Sequence, residues 1–319
     1  MSNRYNGLIN IYKEQGFTSN DVVAKLRGIL RQKKIGHTGT LDPDAVGVLV
    51  VCLGTGTKLV EMLTDHSKEY IAVCRLGVTT DTQDMSGNVI ATNEVKVTRD
   101  ELHEAVQAFV GDYDQIPPMY SAIKQNGKKL YELAREGIEV ERKPRRIHID
   151  AIKILDDSHL EDQQFFAMEV KCSKGTYIRT LCNDIGERLG CGGAMQHLTR
   201  TCVGAFHLET AVTLSQVEKM RDEGTLDSII ESPEYIFRDL DRIHVMDSCR
   251  ALLENGNSFR VDNVVNEDPK GVNDKEYAKE MFKDGNSFRV YSEDDTFFGI
   301  YRYDGRTRQF KVDKFFFEK

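Results

Sequence analysis

The sequence predicts an α+β fold in which a large N-terminal domain is followed by a small β-rich domain. A chain of 319 residues can form one large domain and one small one, each with its own core. Up to about residue 242, segments with apolar residues at helical spacing alternate with segments rich in β-branched residues. The pattern then changes to short strands separated by polar turns. We therefore divide the chain into domains at 1–242 and 243–319.

The composition is typical of a globular protein without a membrane span. Hydrophobic residues make up 40% of the chain and charged residues 29%, and no apolar run approaches the roughly 20 residues that cross a bilayer. Residues 1–6 lack the basic and then apolar pattern of a signal peptide. These features predict a cytoplasmic protein that does not contact a membrane.

The seven cysteines indicate neither a metal site nor a disulfide framework. None of them lies in a Cys-x-x-Cys pair, the spacing that is typical of zinc sites. Scattered cysteines are common as small buried residues in a reducing compartment. We therefore predict buried free thiols and no bound metal.

The net charge of -8 argues against a nucleic-acid partner, but the charges are unevenly distributed. Five basic residues between positions 25 and 34 have no acid among them, and a second basic zone extends from Lys124 to Arg146. Acidic residues are more frequent beyond residue 217. This asymmetry predicts a basic face for an anionic partner. For either zone alone, a solvated helix surface is an equally good explanation.

The elements of the first domain follow in order from caps, spacing and alternation. Residues 18–21 offer N-caps for a helix that presents Val22, Val23, Leu26 and Leu30 on one face. Residues 46–53 are almost wholly apolar, which predicts a buried strand or helix. The other predicted helices are a short run ending at Leu63, then 99–110, 129–135 and a segment that follows Gly175 and ends at 190–193. The predicted strands are 7–12, 68–77, 145–155, 164–173 and 197–206.

In the second domain, turn signals separate the predicted strands. Asn255-Gly256, Asp284-Gly285 and Asp304-Gly305 are typical of hairpins, and residues 297–303 and 309–317 are predicted strands of a small β-barrel-like unit. An acidic run over 264–284 has the character of an insertion.

The most informative stretch for function is residues 36–50, in which an aspartate lies on a constrained turn. Gly36 and Gly39 permit backbone conformations and close approaches that a side chain would prevent. Pro43 biases Asp42 toward an extended conformation, and the following apolar segment anchors the turn. An isolated Asp-Pro pair is usually only a turn, but His37 and two threonines crowd the same loop. These features favour a catalytic carboxylate at Asp42.

Several common site types are missing from the sequence. There is no group of residues with metal-ligand spacing. The segment Gly54-Thr55-Gly56-Thr57-Lys58 lacks the third glycine of a dinucleotide fingerprint and the Gly-Lys-Ser/Thr of a phosphate-binding loop. A lone acid without a cofactor, acting on an anionic polymer, favours nucleophilic or acid–base chemistry on a base or a sugar. Such enzymes flip the base out of its stack, and Tyr70 could serve as the stacking platform. A half-buried core tyrosine is an equally good explanation for Tyr70.

Six ordered motifs between residues 7 and 206 closely resemble the TruB family of bacterial tRNA pseudouridine synthases. The motifs are Gly36-His37-x-Gly39-Thr40-Leu41-Asp42-Pro43-x-Ala45-x-Gly47-Val48-Leu49, Gly54-Thr55-x-Thr57-Lys58, Lys68-x-Tyr70, Gln115-x-Pro117-Pro118-Met119-Tyr120-Ser121-Ala122, Lys174-Gly175-Thr176-Tyr177-Ile178-Arg179-Thr180-Leu181, and Leu198-Thr199-Arg200-Thr201-Cys202. The last of these carries threonine where many members of the family have arginine or leucine.

The resemblance implies a pseudouridine synthase fold and a cofactor-independent isomerase. The fold would be a mixed, largely antiparallel sheet with flanking helices, a thumb insertion at about 120–147 and a PUA-like RNA-binding domain at 243–319. The reaction would convert uridine to pseudouridine at position 55 in the T stem-loop of tRNA. A monomer is expected, since no self-complementary surface is evident in the sequence.

The resemblance also implies a role for individual residues. Asp42 would be the nucleophile, attacking the ribose C1′ or the base C6, or would abstract a sugar proton. Arg179 would pair with Asp42, for which a bidentate guanidinium suits better than lysine. Tyr70 would stack on the flipped base, with its hydroxyl available for the final proton removal. The expected substrate-binding residues are His37 in the space vacated by flipped bases, Tyr177 and Leu198 in the uracil pocket, and Lys58 in either a structural or a phosphate-facing role.

Two alternatives differ from this interpretation. One is a relative of the guide-RNA-dependent pseudouridine synthases, which work inside a ribonucleoprotein. The other is an RNA-binding or tRNA-chaperone protein that has lost its chemistry. The thumb segment and the absence of long basic tails favour a stand-alone enzyme over the first. The complete set of Asp42, Tyr70 and Arg179 argues against the second.

Overall fold

The computed structural model describes residues 4–160, 164–265 and 281–318. These residues contain eighteen strands. In chain order the strands are β1 (Gly7–Lys13), β2 (Ile35–His37), β3 (Val46–Leu53), β4 (Lys68–Leu76), β5 (Val78–Thr80), β6 (Val89–Thr92), β7 (Gly111–Gln115), β8 (Lys124–Gln125), β9 (Lys128–Lys129), β10 (Arg145–Asp156), β11 (Phe165–Cys172), β12 (Gly193–Val203), β13 (Phe206–His207), β14 (Arg242–Val245), β15 (Phe259–Arg260), β16 (Ser287–Ser292), β17 (Phe297–Asp304) and β18 (Gln309–Phe315).

The same residues contain seven α-helices, all of them short. They are α1 (Ser19–Leu30), α2 (Val60–Thr64), α3 (Arg99–Gln107), α4 (Leu130–Arg135), α5 (Ile178–Arg188), α6 (Leu214–Glu223) and α7 (Arg250–Glu254). A six-residue 3-10 segment, Gly54–Leu59, leads into α2. In the described part of the chain, every helix is too short or too polar to cross a membrane.

Local capping motifs explain where two helices of the first domain begin. Thr18 caps α1 by accepting a hydrogen bond from the Asp21 amide, and the Asp21 carboxylate accepts one from Thr18 in return. This reciprocal capping box satisfies two amides that have no partner within the helix. Thr98 and Glu101 form the same arrangement at the start of α3. The predicted helix starts are therefore confirmed, although α3 ends at Gln107 instead of reaching Val110.

The large sheet has the strand order β1-β3-β12-β4-β11-β10-β7, with β2 also paired to β3 and β13 to β12. All of these pairs are antiparallel except β3 with β12, which is parallel over Thr199–Arg200. A sheet of this kind, flanked by α1, α3, α5 and α6, confirms the predicted mixed and largely antiparallel architecture.

Strand β3 is apolar along its whole length because both of its faces are buried. On one face, Leu49 and Val51 join the core beneath α1 and α6. On the other face, Val48 and Val50 share a cluster with residues of the C-terminal domain. The apolar run at 46–53 is therefore a strand, which settles the choice between strand and helix.

The C-terminal domain is a separate five-stranded sheet in the order β14-β16-β17-β18-β15. Its core is rich in aromatic side chains, and the Phe310 ring lies within 6 Å of the rings of Phe259 and Phe288. Ile300 and Phe316 pack against β3 and join the two domains. This β-rich unit confirms the predicted fold class of the domain.

Two of the three predicted hairpin turns are wrong. Asp304-Gly305 does connect the antiparallel strands β17 and β18. Asn255-Gly256, in contrast, ends α7, where Gly256 adopts a positive φ of 63°. Asp284-Gly285 precedes β16, which pairs in parallel with β14 and so forms no hairpin with it. The acidic run predicted as an insertion lies mostly outside the described residues, which end at 265 and resume at 281.

The six buried cysteines agree with the prediction of small buried thiols, and only Cys249 is partly exposed. Strand β12 begins at Gly193, four residues before the predicted start, because the glycines at 190–193 end α5 and turn the chain directly into the sheet.

A buried carboxyl on α5 makes the stability of the fold depend on pH. Tyr113 on β7 is hydrogen-bonded to Asp184, and burial, followed by the nearby Glu187, raises the pKa of the Asp184 carboxyl to about 7. A raised pKa means that folding favours the protonated acid. This contribution to stability is complete below the ordinary carboxyl pKa near 4 and is lost as the pH rises through about 7.

We therefore expect Asp184→Asn to gain stability relative to the parent protein as the pH rises from 4.5 to 8. The expected gain is about 2 kcal/mol at pH 8, less than the full linkage value because the carboxyl keeps some contact with solvent. Urea unfolding at the two pH values measures it, with Asp239→Asn, an exposed carboxylate, as the control. A difference in unfolding free energy that is the same at both pH values would contradict the expectation.

Candidate active site

The predicted catalytic aspartate lies on a loop, residues 38–45, between β2 and β3; we refer to it as the Asp42 loop. Its backbone is fixed at several points. The Thr38 amide donates to the Val50 carbonyl at 3.1 Å, and the Leu41 amide donates to Ser19 Oγ at 2.9 Å. Lys13 Nζ donates to the Pro43 carbonyl at 3.0 Å. The loop is therefore held by β1, α1 and β3 together, which orients Asp42.

The Asp42 carboxylate is partly accessible to solvent, with 36% of its side chain exposed. Arg179 Nη2 donates a hydrogen bond to Asp42 Oδ1 at 3.3 Å. Burial raises the pKa of the Asp42 carboxyl, while the positive charges of Arg179 and, more weakly, Lys13 oppose that rise. A carboxylate that is accessible from one side and backed by cations can act as a nucleophile.

Arg179 lies in the first turn of α5 and contacts two carboxylates through different nitrogens. Nη2 contacts Asp42 and also donates to the Tyr120 carbonyl at 2.7 Å. Nη1 lies 3.5 Å from Asp84 Oδ2. The expected bidentate pairing with Asp42 is therefore wrong, because the second arm of the guanidinium is directed toward Asp84. The predicted pairing of Arg179 with Asp42 is present in the structure.

Asp84 was not identified as a site residue from the sequence. In the structure its Oδ1 accepts hydrogen bonds from Thr82 Oγ1 at 2.7 Å and from the Ser86 amide at 3.0 Å. These bonds direct Oδ2 toward Arg179. The polar residues around Asp84 predict only a turn. The contact with Arg179, which is distant in sequence, cannot be predicted from the local pattern. Within the described residues, no cluster of three or more metal-ligating side chains occurs.

Tyr70 and Leu198 belong to the same core cluster as Leu41, the residue before Asp42. Tyr70 lies on β4 and Leu198 on the neighbouring strand β12, and they are 8% and 6% exposed. Burial raises the pKa of the Tyr70 hydroxyl, and the nearby Arg200 opposes that shift. Both predicted residues therefore belong to the core cluster that also contains Leu41 and Ala45 of the Asp42 loop.

Tyr177 precedes α5 and is fixed by a side chain of the motif at 115–122. The Tyr177 amide donates to Gln115 Oε1 at 2.8 Å, and Gln115 Nε2 donates back to the Tyr177 carbonyl at 3.0 Å. Gln115 is 1% exposed, so these two bonds satisfy a buried amide. They tie the end of β7 to the start of the helix that carries Arg179.

His37 ends β2, directly before the Asp42 loop. Its Nδ1 accepts a hydrogen bond from the Gly39 amide at 3.3 Å. Burial and then the positive charge of Arg200 lower the pKa of His37, so the neutral imidazole is favoured. A neutral imidazole whose Nδ1 already accepts a hydrogen bond carries no positive charge for a phosphate. It is better suited to packing against the substrate.

Lys58 is the one predicted substrate-binding residue that the structure places against the C-terminal domain. Its Nζ donates to the Phe315 carbonyl at 2.5 Å and lies 5.5 Å from the centre of the Phe315 ring. These contacts fit the structural role that the sequence left open for this lysine.

Two buried cations near the Asp42 loop were also not assigned from the sequence. Lys13 is fully buried and donates to the carbonyls of Glu14 and Pro43, and burial lowers its pKa to about 8. Arg200 is 1% exposed and donates to carbonyls on both sides of Asp42. Only the fold brings these residues to the loop, which is why local sequence patterns did not reveal them.

The first basic zone is exposed in the structure, next to the strand that leads into the Asp42 loop. Its five members all have exposed side chains: Lys25, Arg27, Arg31, Lys33 and Lys34. In the second zone, which includes β8, β9 and α4, most basic residues are also exposed, although Lys128 pairs with Glu136 and Arg146 with Asp112 and Asp114. An anionic partner could therefore contact both zones.

Comparison with known proteins agrees with this fold. The model for the N-terminal domain of the TruB family of pseudouridylate synthases matches residues 27–178, and the model for the C-terminal domain of tRNA pseudouridylate synthase B matches residues 179–238. Among solved structures, a chain of a Cbf5-Nop10-Gar1 complex has a TM-score of 0.67 at 25% identity, with coverage of 98% of this chain and 85% of that one. A chain of the archaeal box H/ACA sRNP Nop10-Cbf5 complex has a TM-score of 0.66 at 26% identity, covering 98% and 86%.

Curated relatives are more similar in sequence. A protein of Lachnoclostridium phytofermentans named tRNA pseudouridine synthase B is 49% identical over 98% of this chain and 99% of its own length. A protein of the same name from Alkaliphilus oremlandii is 46% identical over 79% of this chain and 82% of its own length. The fold and the matched family models are those of a pseudouridine synthase, an isomerase. Within that class, the chain belongs to the TruB family.

Proposed function

We propose that this enzyme converts uridine to pseudouridine at position 55 in the T stem-loop of tRNA, with Asp42 as the nucleophile and without a cofactor. The main observation behind the proposal is the hydrogen bond of 3.3 Å between Arg179 Nη2 and Asp42 Oδ1. Asp42 is partly exposed and lies on a loop that several hydrogen bonds hold in place. The relatives that cover nearly the whole chain bear the name tRNA pseudouridine synthase B, which supports tRNA as the substrate.

The residues around Asp42 suit a flipped uridine. Tyr70 and Leu198 supply an aromatic and an aliphatic surface, on which a base can recover part of the few kcal/mol lost on leaving its stack. His37, neutral and at the edge of the loop, occupies the space that flipped bases vacate. Tyr177 lines the pocket from the start of α5. Attack at C1′, attack at C6 and proton abstraction from the sugar all require the same ionised carboxylate.

The exposed basic zones supply the phosphate contacts in this proposal. The zone at 25–34 lies beside the strand that leads to Asp42, and the thumb at about 120–147 would close over the T stem-loop. Counterion release from such contacts makes binding weaken as salt rises. The PUA-like domain, attached through Lys58, Ile300 and Phe316, would extend the surface available to tRNA. A cytoplasmic monomer completes the proposal.

The decisive experiment is to incubate the purified chain alone with an unmodified tRNA transcript and to map pseudouridine. We expect modification at position 55, in the full transcript and in an isolated T stem-loop. A transcript with cytidine at that position is the control. Product that forms only after a guide RNA is added would favour the guide-dependent alternative. Tight binding without product would favour an RNA chaperone.

A further prediction concerns the hydroxyl of Tyr70. We expect Tyr70→Phe to bind tRNA normally, because the ring still stacks, and to turn over about ten to a hundred times more slowly, as expected on loss of a proton-transfer group. Single-turnover rates with saturating enzyme measure the effect. Tyr303→Phe is a matched control, since Tyr303 is also 8% exposed but lies in the C-terminal domain. Equal rates for Tyr70→Phe and the parent enzyme would remove the hydroxyl from the mechanism.

A further inference from the structure

Arg200 is the largest fully buried side chain in the described residues, and its charge is not paired with a carboxylate there. A buried charge without hydrogen-bond partners would cost several kcal/mol, so its contacts must compensate. Nε donates to the Val48 carbonyl at 2.7 Å, Nη2 to the Gly39 carbonyl at 3.3 Å and Nη1 to the Thr40 carbonyl at 3.4 Å. All three acceptors are backbone groups that flank Asp42.

The position of these acceptors follows from the sheet. Both β2 and β12 pair with the same edge of β3, β2 near Val51 and β12 near Gly47. The Val48 carbonyl lies between these two pairings and accepts the hydrogen bond from the guanidinium. Gly47, with a φ of 107°, lets the backbone of β12 come close to β3 at this point, since a Cβ there would lie 2.2 Å from the Arg200 carbonyl oxygen.

Arg200 is also the residue of β12 that connects the two predicted catalytic positions. It pairs with Gly47 of β3 on one side and with Tyr70 of β4 on the other. Arg200 and Tyr70 are directly opposite each other on antiparallel strands, so their side chains lie on the same face of the sheet, while the guanidinium also donates to the loop carbonyls. Asp42 and Tyr70 belong to different segments of the chain. Arg200 contacts the Asp42 loop and is the cross-strand neighbour of Tyr70.

We propose that Arg200 is a positioning residue that holds the Asp42 loop and the Tyr70 hydroxyl in one geometry. The proposal rests on the proposed function, because it assigns the Tyr70 hydroxyl to proton removal. Arginine is suited to this task since its planar fork offers five donors at fixed angles, whereas a lysine ammonium cannot reach three carbonyls and a hydroxyl together. The positive charge would also favour the phenolate that forms if Tyr70 takes a proton.

The test compares Arg200→Lys with the parent enzyme under multiple-turnover conditions. We expect kcat to fall by at least about tenfold with KM changed less than about threefold, because substrate contacts stay in place while the reacting groups shift. Arg289→Lys is the matched control. Arg289 is also mostly buried and donates to a carbonyl, that of Leu240, but lies in the C-terminal domain. A kcat for Arg200→Lys within twofold of the parent value would overturn the proposal.

A double-mutant cycle with Tyr70→Phe separates positioning from general destabilisation. If Arg200 acts through the hydroxyl, Arg200→Lys costs less kcat in the Tyr70→Phe background than in the parent enzyme. Full additivity would overturn the proposal and leave the proposed function intact. A fully active Tyr70→Phe would end both the hydroxyl role and this proposal, whereas Asp42 variants would still test the nucleophile. Arg200→Met, which removes the buried charge at similar volume, provides the same cycle if the lysine variant does not fold.

Discussion

Asp42→Asn is expected to abolish pseudouridine formation while leaving tRNA affinity almost unchanged. The amide has nearly the shape of the carboxylate and can still accept a hydrogen bond from Arg179, so the Asp42 loop keeps its geometry. It has no negative charge with which to attack a carbon or to remove a sugar proton. Loss of a nucleophile of this kind lowers turnover by about four orders of magnitude or more.

The measurement is a single-turnover assay on unmodified transcript, together with a binding titration of the same variant. Asp44→Asn is a matched control, because Asp44 lies on the same loop with an exposed side chain and an equal charge. We expect that variant to stay within about threefold of the parent rate, as surface substitutions usually have small effects. Turnover by Asp42→Asn at more than a tenth of the parent rate would show that the nucleophile lies elsewhere.

The parts of the fold that were predictable are those whose cause is local. Thr18 with Asp21 and Thr98 with Glu101 are capping boxes readable within four residues, and both helices begin where these signals place them. The apolar run at 46–53 is similarly direct, because a strand buried on both faces needs no polar alternation. Asp42 stood out for the same reason, since its turn chemistry and its anchoring strand are adjacent in sequence.

The parts that were missed depend on contacts between distant segments. Lys13 reaches the Asp42 loop across 30 positions of sequence and Arg200 reaches Gly39 across 161. Asp84 becomes a partner of Arg179 only after the loop 81–87 pairs with β12. Neither hydrophobic periodicity nor capping motifs can predict contacts between residues so far apart in sequence. The hairpin predicted at Asn255-Gly256 was wrong for a local reason. A glycine with a positive φ occurs at helix ends as well as in hairpin turns, and here it ends α7.

The residues that the sequence missed bear on the ionisation of the partly buried Asp42. Burial raises the pKa of the Asp42 carboxyl, and the nearby Asp84 raises that pKa further. Arg179 between the two carboxylates and Lys13 beneath the loop oppose both effects. The site therefore depends on a balance of charges, and removing one cation is predicted to shift that balance measurably.

Arg179→Lys provides the sharpest test of that balance. A lysine cannot contact Asp42, Asp84 and the Tyr120 carbonyl at once, so it should leave Asp42 less well oriented and its pKa higher. We expect kcat at pH 7.5 to fall by about a hundredfold, in line with the loss of an oriented, charge-assisted contact in an active site. Since the ionised carboxylate is the reactive form, the rate falls as the pH drops through the pKa of Asp42. A higher pKa therefore moves the acidic limb of the pH–rate profile to higher pH.

The profile of kcat between pH 5 and 9 measures this shift, with Arg188→Lys as the control because Arg188 is exposed on the same helix. Arg179→Met should move the limb further, since the two carboxylates would then face each other without a cation between them. An acidic limb at the same pH in all three variants would show that Arg179 orients Asp42 without affecting its ionisation. A limb displaced upward, most of all in Arg179→Met, would show that the arginine lowers the pKa of Asp42 and so favours its ionised form.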